Sequence, residues 1–173
     1  MNVDPYEETV KSAMLSEDGL YRYELRRTWS RSAPMTWVML NPSTADAAQD
    51  DPTIRRCMGF ARREGCGGIV VVNLFALRVT RPVHLFDGSI GLPNGPHNRG
   101  YVANAFDVAA TTDGARFVVA WGALKRPWRS TAHSWLMAHL SEGHPVLCLG
   151  KTADGSPRHP LYLRADTPLE VWP

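Results

Sequence analysis

Cysteine is scarce in this chain of 173 residues: Cys57, Cys66 and Cys148 are widely spaced and odd in number. That excludes a disulfide framework and a four-thiolate zinc or iron–sulfur site, and leaves three reduced thiols. No apolar run approaches the roughly 18 residues a membrane span needs, so no membrane partner is expected. The N-terminal MNVDPYEETVKS lacks the basic start and apolar middle of a secretory leader, which predicts a cytoplasmic protein. No glycine-rich loop follows a strand pattern and the His and Cys spacings match no ligand set, so neither a metal nor an organic cofactor is expected. The net charge is only +2, too small by itself to imply nucleic acid. Lysine is also sparse, three residues against sixteen arginines. Arginine's planar fork suits phosphate better than lysine's point charge. Its clusters at Arg22, Arg26, Arg27, Arg31 and at Arg55, Arg56, Arg62, Arg63 are therefore either phosphate clamps or solvated faces.

What is present is a folded composition, 44% hydrophobic with 21% charged residues, at a length that fits one domain over residues 1–173 and a monomer. Four short apolar runs, TWVMLN (36–41), GGIVVVNLF (67–75), ARFVVAWG (115–122) and HPVLCLG (144–150), read as strands covered on both faces. Between them lie helical stretches at 51–65, 97–111 and 127–143, the first with Pro at its start and Gly at its stop. GLYRYELRRTW (19–29) alternates with period two and is expected at a sheet edge. The alternation predicts an α/β fold: three-layer α/β/α with a central four-stranded parallel sheet plus an N-terminal edge strand. The Pro- and Gly-rich segment 76–96 is longer than most connections and is expected to be functional or disordered.

Open α/β sheets bind ligands beyond the carboxyl ends of their strands. There the sequence places Asn41-Pro42-Ser43-Thr44, Asn73-Leu74-Phe75, Trp121-Gly122, and Lys151 running on to Arg158-His159-Pro160. Two asparagines and a histidine converging on one crevice suit a flat, neutral, many-edged ligand such as a nucleobase. Singly, each has a plainer role, since an Asn before Pro shapes turns. Phe60 and Phe75 are either base-stacking platforms or core residues.

VMLNPSTAD (38–46) resembles the first motif of the uracil-DNA glycosylase superfamily, particularly its mismatch-specific branch, in which the Asn matched by Asn41 positions the attacking water. VVVNLF resembles the segment carrying the base-reading Asn, matched by Asn73. FVVAWG resembles that superfamily's third strand. RHPLYL resembles the second motif, with His159 at the position that stabilises the departing base and Leu163 at that of the wedge leucine. Met39 stands where the first motif has glycine, and Leu161 where the second has serine. The whole chain also resembles the bacterial and phage family called domain of unknown function 1643, through Asn-Pro-Ser-Thr-Ala, Asn-Leu-Phe and Pro-Arg-His-Pro. The glycosylase resemblance implies a uracil-DNA glycosylase-like fold and hydrolysis of the N-glycosidic bond of a damaged or modified base flipped out of DNA, as in base excision repair. Asn41 and His159 are then catalytic and Asn73, Phe60 and Phe75 bind the base. Ser43, Thr44, Arg78, Arg81, Lys151 and Arg158 meet the nucleic-acid backbone, and Leu163 is the wedge. The alternatives are a non-catalytic nucleotide or modified-base binding protein, or another enzyme of nucleotide or DNA-modification metabolism on the same fold.

Overall fold

A computed structural model describes residues 8–43, 45–124, 134, 136 and 144–173. Its strands are β1 (Val10–Leu15), β2 (Arg22–Thr28), β3 (Pro34–Met39), β4 (Gly68–Asn73), β5 (Arg116–Val119), β6 (Val146–Cys148) and β7 (Glu170–Val171). Its α-helices, among the described residues, are α1 (Pro52–Arg63) and α2 (Asn98–Thr111). The seven strands form one sheet in the order β1-β2-β4-β3-β5-β6-β7. Strand β3 pairs in parallel with β4 and β5, and β5 with β6. The pairs β1–β2, β2–β4 and β6–β7 are antiparallel.

This corrects the expected architecture. In place of a central four-stranded parallel sheet within three layers there is a mixed seven-stranded sheet with two described helices. The expected edge strand is interior, because β1 covers its outer side. Strand β1 is exposed along nearly all its length and its apolar residues follow no alternation, so no strand pattern marks it in the sequence. Strand β7 is two residues long, too short for any period to show. The third expected helix, 127–143, lies outside the described residues apart from Ser134 and Leu136.

The β3, β4 and β5 runs are apolar throughout because alternate residues enter different cores. Trp37, Ile69, Val71 and Val118 pack with Ile54, Cys57, Phe60 and Ala61 of α1. Val38, Val70, Val72, Phe117 and Val119 pack with Val102, Ala105, Phe106 and Ala109 of α2. Helix α1 starts where Asp51 accepts a hydrogen bond from the Ile54 amide at 2.8 Å and Pro52 sets the first turn. Gly65, at φ 74°, ends it. The chain leaves β3 for α1 and β4 for α2, so the connections after two neighbouring strands depart to opposite sides. That divergence opens a crevice at their carboxyl ends.

Before β4 the chain passes close to the 29–33 loop, whose backbone it meets through Trp29 N–H and Ser30 N–H on the Gly67 carbonyl, at 2.9 and 3.0 Å. A Cβ at Gly67 would overlap the Ser32 carbonyl oxygen and come 2.7 Å from the Ser32 nitrogen, both backbone atoms. Gly67→Ala is expected to cost about 2 kcal/mol, as overpacking at a rigid site does. A urea midpoint within error of the parent would mean that the loop yields freely.

Candidate functional site at the strand ends

Beyond β3 and β4 the backbone continues to pair. Leu74 N–H donates to the Met39 carbonyl at 2.9 Å, and Phe75 N–H to that of Leu40 at 3.0 Å. Asn41 extends this seam with its side chain, donating both amide hydrogens to backbone carbonyls, Pro42 at 3.0 Å and Val79 at 2.8 Å. The amide orientation is thereby fixed, and its oxygen is the end left for another partner. Asn73, the last residue of β4, is 1% exposed. Its side-chain oxygen lies 3.4 Å from Arg22 Nη2, and its amide nitrogen has no hydrogen-bond partner. Asn98 at the start of α2 braces the same strand end, donating to the carbonyls of Asn73 and Leu74 at 2.9 and 3.1 Å.

The fourth wall is the segment that carries His159. Gly122 N–H donates to the Pro157 carbonyl at 2.9 Å, and Arg158 N–H to that of Gly150 at 2.9 Å. Gly122 has φ 80°, and a Cβ there would come 3.3 Å from the His159 Cβ, so glycine permits both the turn and the approach. His159 Nδ1 accepts a hydrogen bond from the Leu161 N–H at 3.3 Å, which puts the proton of the neutral ring on Nε2. Burial lowers the His159 pKa below its ordinary 6.5, with the Asp51 carboxylate opposing. At neutral pH the ring is an uncharged donor.

Asn41, Ser43, Asn73 and His159 line one cavity of about 820 Å³. Arg22, Asp51 and Thr53 share its wall, and Met39, Ile54, Val71, Val79 and Trp121 supply apolar surface. The combination of an apolar bed with a few convergent polar groups is what a small-molecule or flipped-base site requires. Asn and neutral His supply both donors and acceptors, which can read the edge of a planar heterocycle.

Other expected site residues lie elsewhere. Phe60 packs in the α1 core and Phe75 in the α2 core, where it meets the Phe86 ring edge-on; neither borders the cavity. Leu163 is 7% exposed and packed in the α1 core, so it cannot project as a wedge. Its neighbour Tyr162 is 84% exposed and stands at the cavity border. Arg78 is half-buried and donates to the Gly19 carbonyl at 3.1 Å. Arg81, Lys151 and Arg158 are exposed and outside the lining, and Thr44 lies outside the described residues.

The α1 arginines do structural work at three positions. Arg56 donates to the Pro160 and Leu163 carbonyls. Arg63 donates to those of Ala165 and Thr167, 2.7 Å each. Arg62 covers the Trp29 ring at 4.1 Å. The Arg56 and Arg63 contacts strap the segment that follows His159 to α1, and the Arg62 contact ties α1 to the end of β2. Among the described residues no three His, Cys, Asp or Glu side chains gather as a metal site, and no helix is long and apolar enough to cross a membrane.

Arg22, Asp51, Thr53, Thr80 and Tyr162 are the polar cavity residues not foreseen as part of the site. The Asp-Pro pair was visible as a helix start, and a helix start at a strand end borders the crevice. Nothing local marks Arg22 among its neighbouring arginines. The arrangement is that of a strand-end pocket on a mixed sheet. The chain belongs to the family described as protein of unknown function (DUF1643), whose model matches residues 22–161. No curated protein and no solved structure matches it.

Proposed function

We propose that the cavity receives a nucleobase turned out of DNA and that the protein hydrolyses its N-glycosidic bond, acting on a damaged or modified base. The observation that carries this reading is the convergence of Asn41, Asn73 and His159 on one cavity from three separate stretches of chain. The resemblance of the Asn41 and His159 segments to the two glycosylase motifs supports it.

As the C1′–N bond breaks, the base leaves with the bonding pair while the sugar becomes electron-poor. Asn41, its amide hydrogens committed to Pro42 and Val79, offers its side-chain oxygen to orient a water toward C1′. His159 donates from Nε2 to the departing base oxygen. Asn73 presents an amide donor to the base edge. The water oxygen bonds to C1′, and the proton it sheds neutralises the released base. An Asn is a poor general base, so the reaction suits a base that leaves readily.

A binding-only reading has one observation in its favour. Both Asn41 hydrogens tie loops together, as a purely structural Asn would. Incubation with duplexes and single strands carrying uracil, hypoxanthine or 5-hydroxymethyluracil, followed by alkali, separates the two. Abasic cleavage is expected with at least one base. Asn41→Ala is expected to slow it by about a hundredfold with binding nearly unchanged. Retained nucleobase binding without any abasic sites would establish the binding-only reading.

A further inference from the structure

Two arginines of β2 are buried to nearly the same degree but are compensated differently. Arg27 is 0% exposed and is matched by the Asp50 carboxylate at 2.6 Å together with four backbone carbonyls. Arg22 is 3% exposed and borders the cavity. Its one short hydrogen bond goes to the Ala45 carbonyl at 2.7 Å, its contact with the Asn73 oxygen is long at 3.4 Å, and its Nε has no partner. No carboxylate of the described residues forms an ion pair with it.

A buried guanidinium without a counter-ion is costly, and natural chains rarely keep one unless something offsets it. Asp51 lines the same cavity, but its carboxylate caps α1 through the Ile54 N–H. Burial pulls the Arg22 pKa down to about 10; Asp51 and Asp46 oppose this, while Arg78 and Arg27 reinforce it. Arg22 therefore remains a cation at neutral pH, and its fork is short of acceptors. Beside it the Asn73 amide nitrogen is also without a partner. At about 820 Å³ the cavity has room for more than a bare pyrimidine or purine.

We infer that Arg22 and the Asn73 amide form an oxyanion subsite at the wall of the cavity, and that the preferred ligand is a nucleobase compound carrying a phosphate or carboxylate group. The inference rests on the nucleobase reading of the cavity. The anion can come from the phosphate of a nucleotide or from an acidic substituent on the base, and the two sources are separable. Both nitrogens are closed off from the cavity in this structure, so an oxyanion accepts from Arg22 Nε and Asn73 Nδ2 once the two side chains turn toward it, and each then gains the partner it lacks within the protein.

The test is calorimetric titration of the full chain with uridine and adenosine, their 5′-monophosphates, uracil, 5-carboxyuracil and inorganic phosphate. At least one anionic ligand is expected to bind about tenfold tighter than its neutral counterpart or more, the effect of a hydrogen bond to a charged group. Preference for the monophosphates identifies a nucleotide phosphate, and preference for 5-carboxyuracil identifies a substituent on the base. Arg22→Gln should erase the preference. Because that variant can fail to fold, Asn73→Asp provides a second route. A carboxylate placed beside Arg22 supplies the anion from within, so it should raise the melting temperature and abolish the preference together. Equal affinity of wild type for charged and neutral partners would overturn the subsite and leave the nucleobase reading standing. No binding of any of the seven probes would overturn the subsite, and the alkali assay on DNA carrying the modified bases then decides the nucleobase reading separately.

Discussion

Replacing His159 by alanine is expected to reduce base release by about a hundredfold to a thousandfold, the usual effect of removing one donor aimed at developing negative charge. The expectation follows from the protonation state of the ring. Nδ1 accepts from the Leu161 N–H, so the only ring proton at neutral pH is on Nε2. Burial holds the pKa below 6.5, so a neutral donor persists where a surface histidine would begin to charge. His159→Gln keeps an N–H donor and should recover part of the rate, whereas a merely structural histidine would show no such rescue. A stability measurement gives a second handle. The folded pKa lies below the unfolded one, so between the two the unfolded chain binds more protons and folding weakens as pH falls from 6.5 through that window. Above 6.5 this contribution is fully restored, and His159→Gln should remove the pH-dependent component. If His159→Ala leaves release unchanged at neutral pH, the ring plays no part in expelling the base.

The part of the site that the sequence made visible was the part defined by strand ends. Asn41 and Asn73 each close a run that is apolar because both its faces are covered, and the abrupt polar residue marks where the covering stops. Residues whose surroundings depend on distant partners were illegible. Within the arginine cluster of β2, Arg22 and Arg27 read as phosphate clamps or solvated side chains, yet β1 outside them and the 45–50 loop bury both. The strap made by Arg56 and Arg63 spans more than a hundred positions, and helical spacing alone cannot distinguish it from a solvated face. Tyr162 and Leu163 show the same limit at short range. The 3-10 turn Pro160–Tyr162 rotates successive side chains by about 120° each, so one faces the cavity mouth and the next the core.

Arg27→Ala is expected to destabilise the protein by about 3–5 kcal/mol, the range for breaking a buried pair from one side. The guanidinium is the hub of the loop that precedes α1. Nη2 holds the Asp46 carbonyl at 2.6 Å and the Gln49 carbonyl at 3.3 Å, while Nε holds the Asp50 carboxylate. Without it four backbone carbonyls lose a donor. Asp50 keeps only Lys11, at 2.9 Å. Arg27→Lys should recover only part of the loss, because one ammonium cannot reproduce the planar fork that reaches Ser12, Asp46, Gln49 and Asp50 together. Acid titration adds a signature that simple loss of packing would not produce. Burial pushes the Asp50 carboxyl up, but the hydrogen bonds and charges of Lys11 and Arg27 outweigh it and leave the pKa below 3.8. The stability from that pairing is present above 3.8 and is lost as pH falls through the folded value. Chemical denaturation of parent and variant at pH 7 and again near pH 3 should therefore show the gap between them narrowing in acid. The same variant should weaken ligand binding, because the loop it releases contains Ala45, whose carbonyl holds Arg22 at the cavity wall. A gap that stays constant across that range would assign the cost to packing of the arginine stem, with Asp50 contributing nothing.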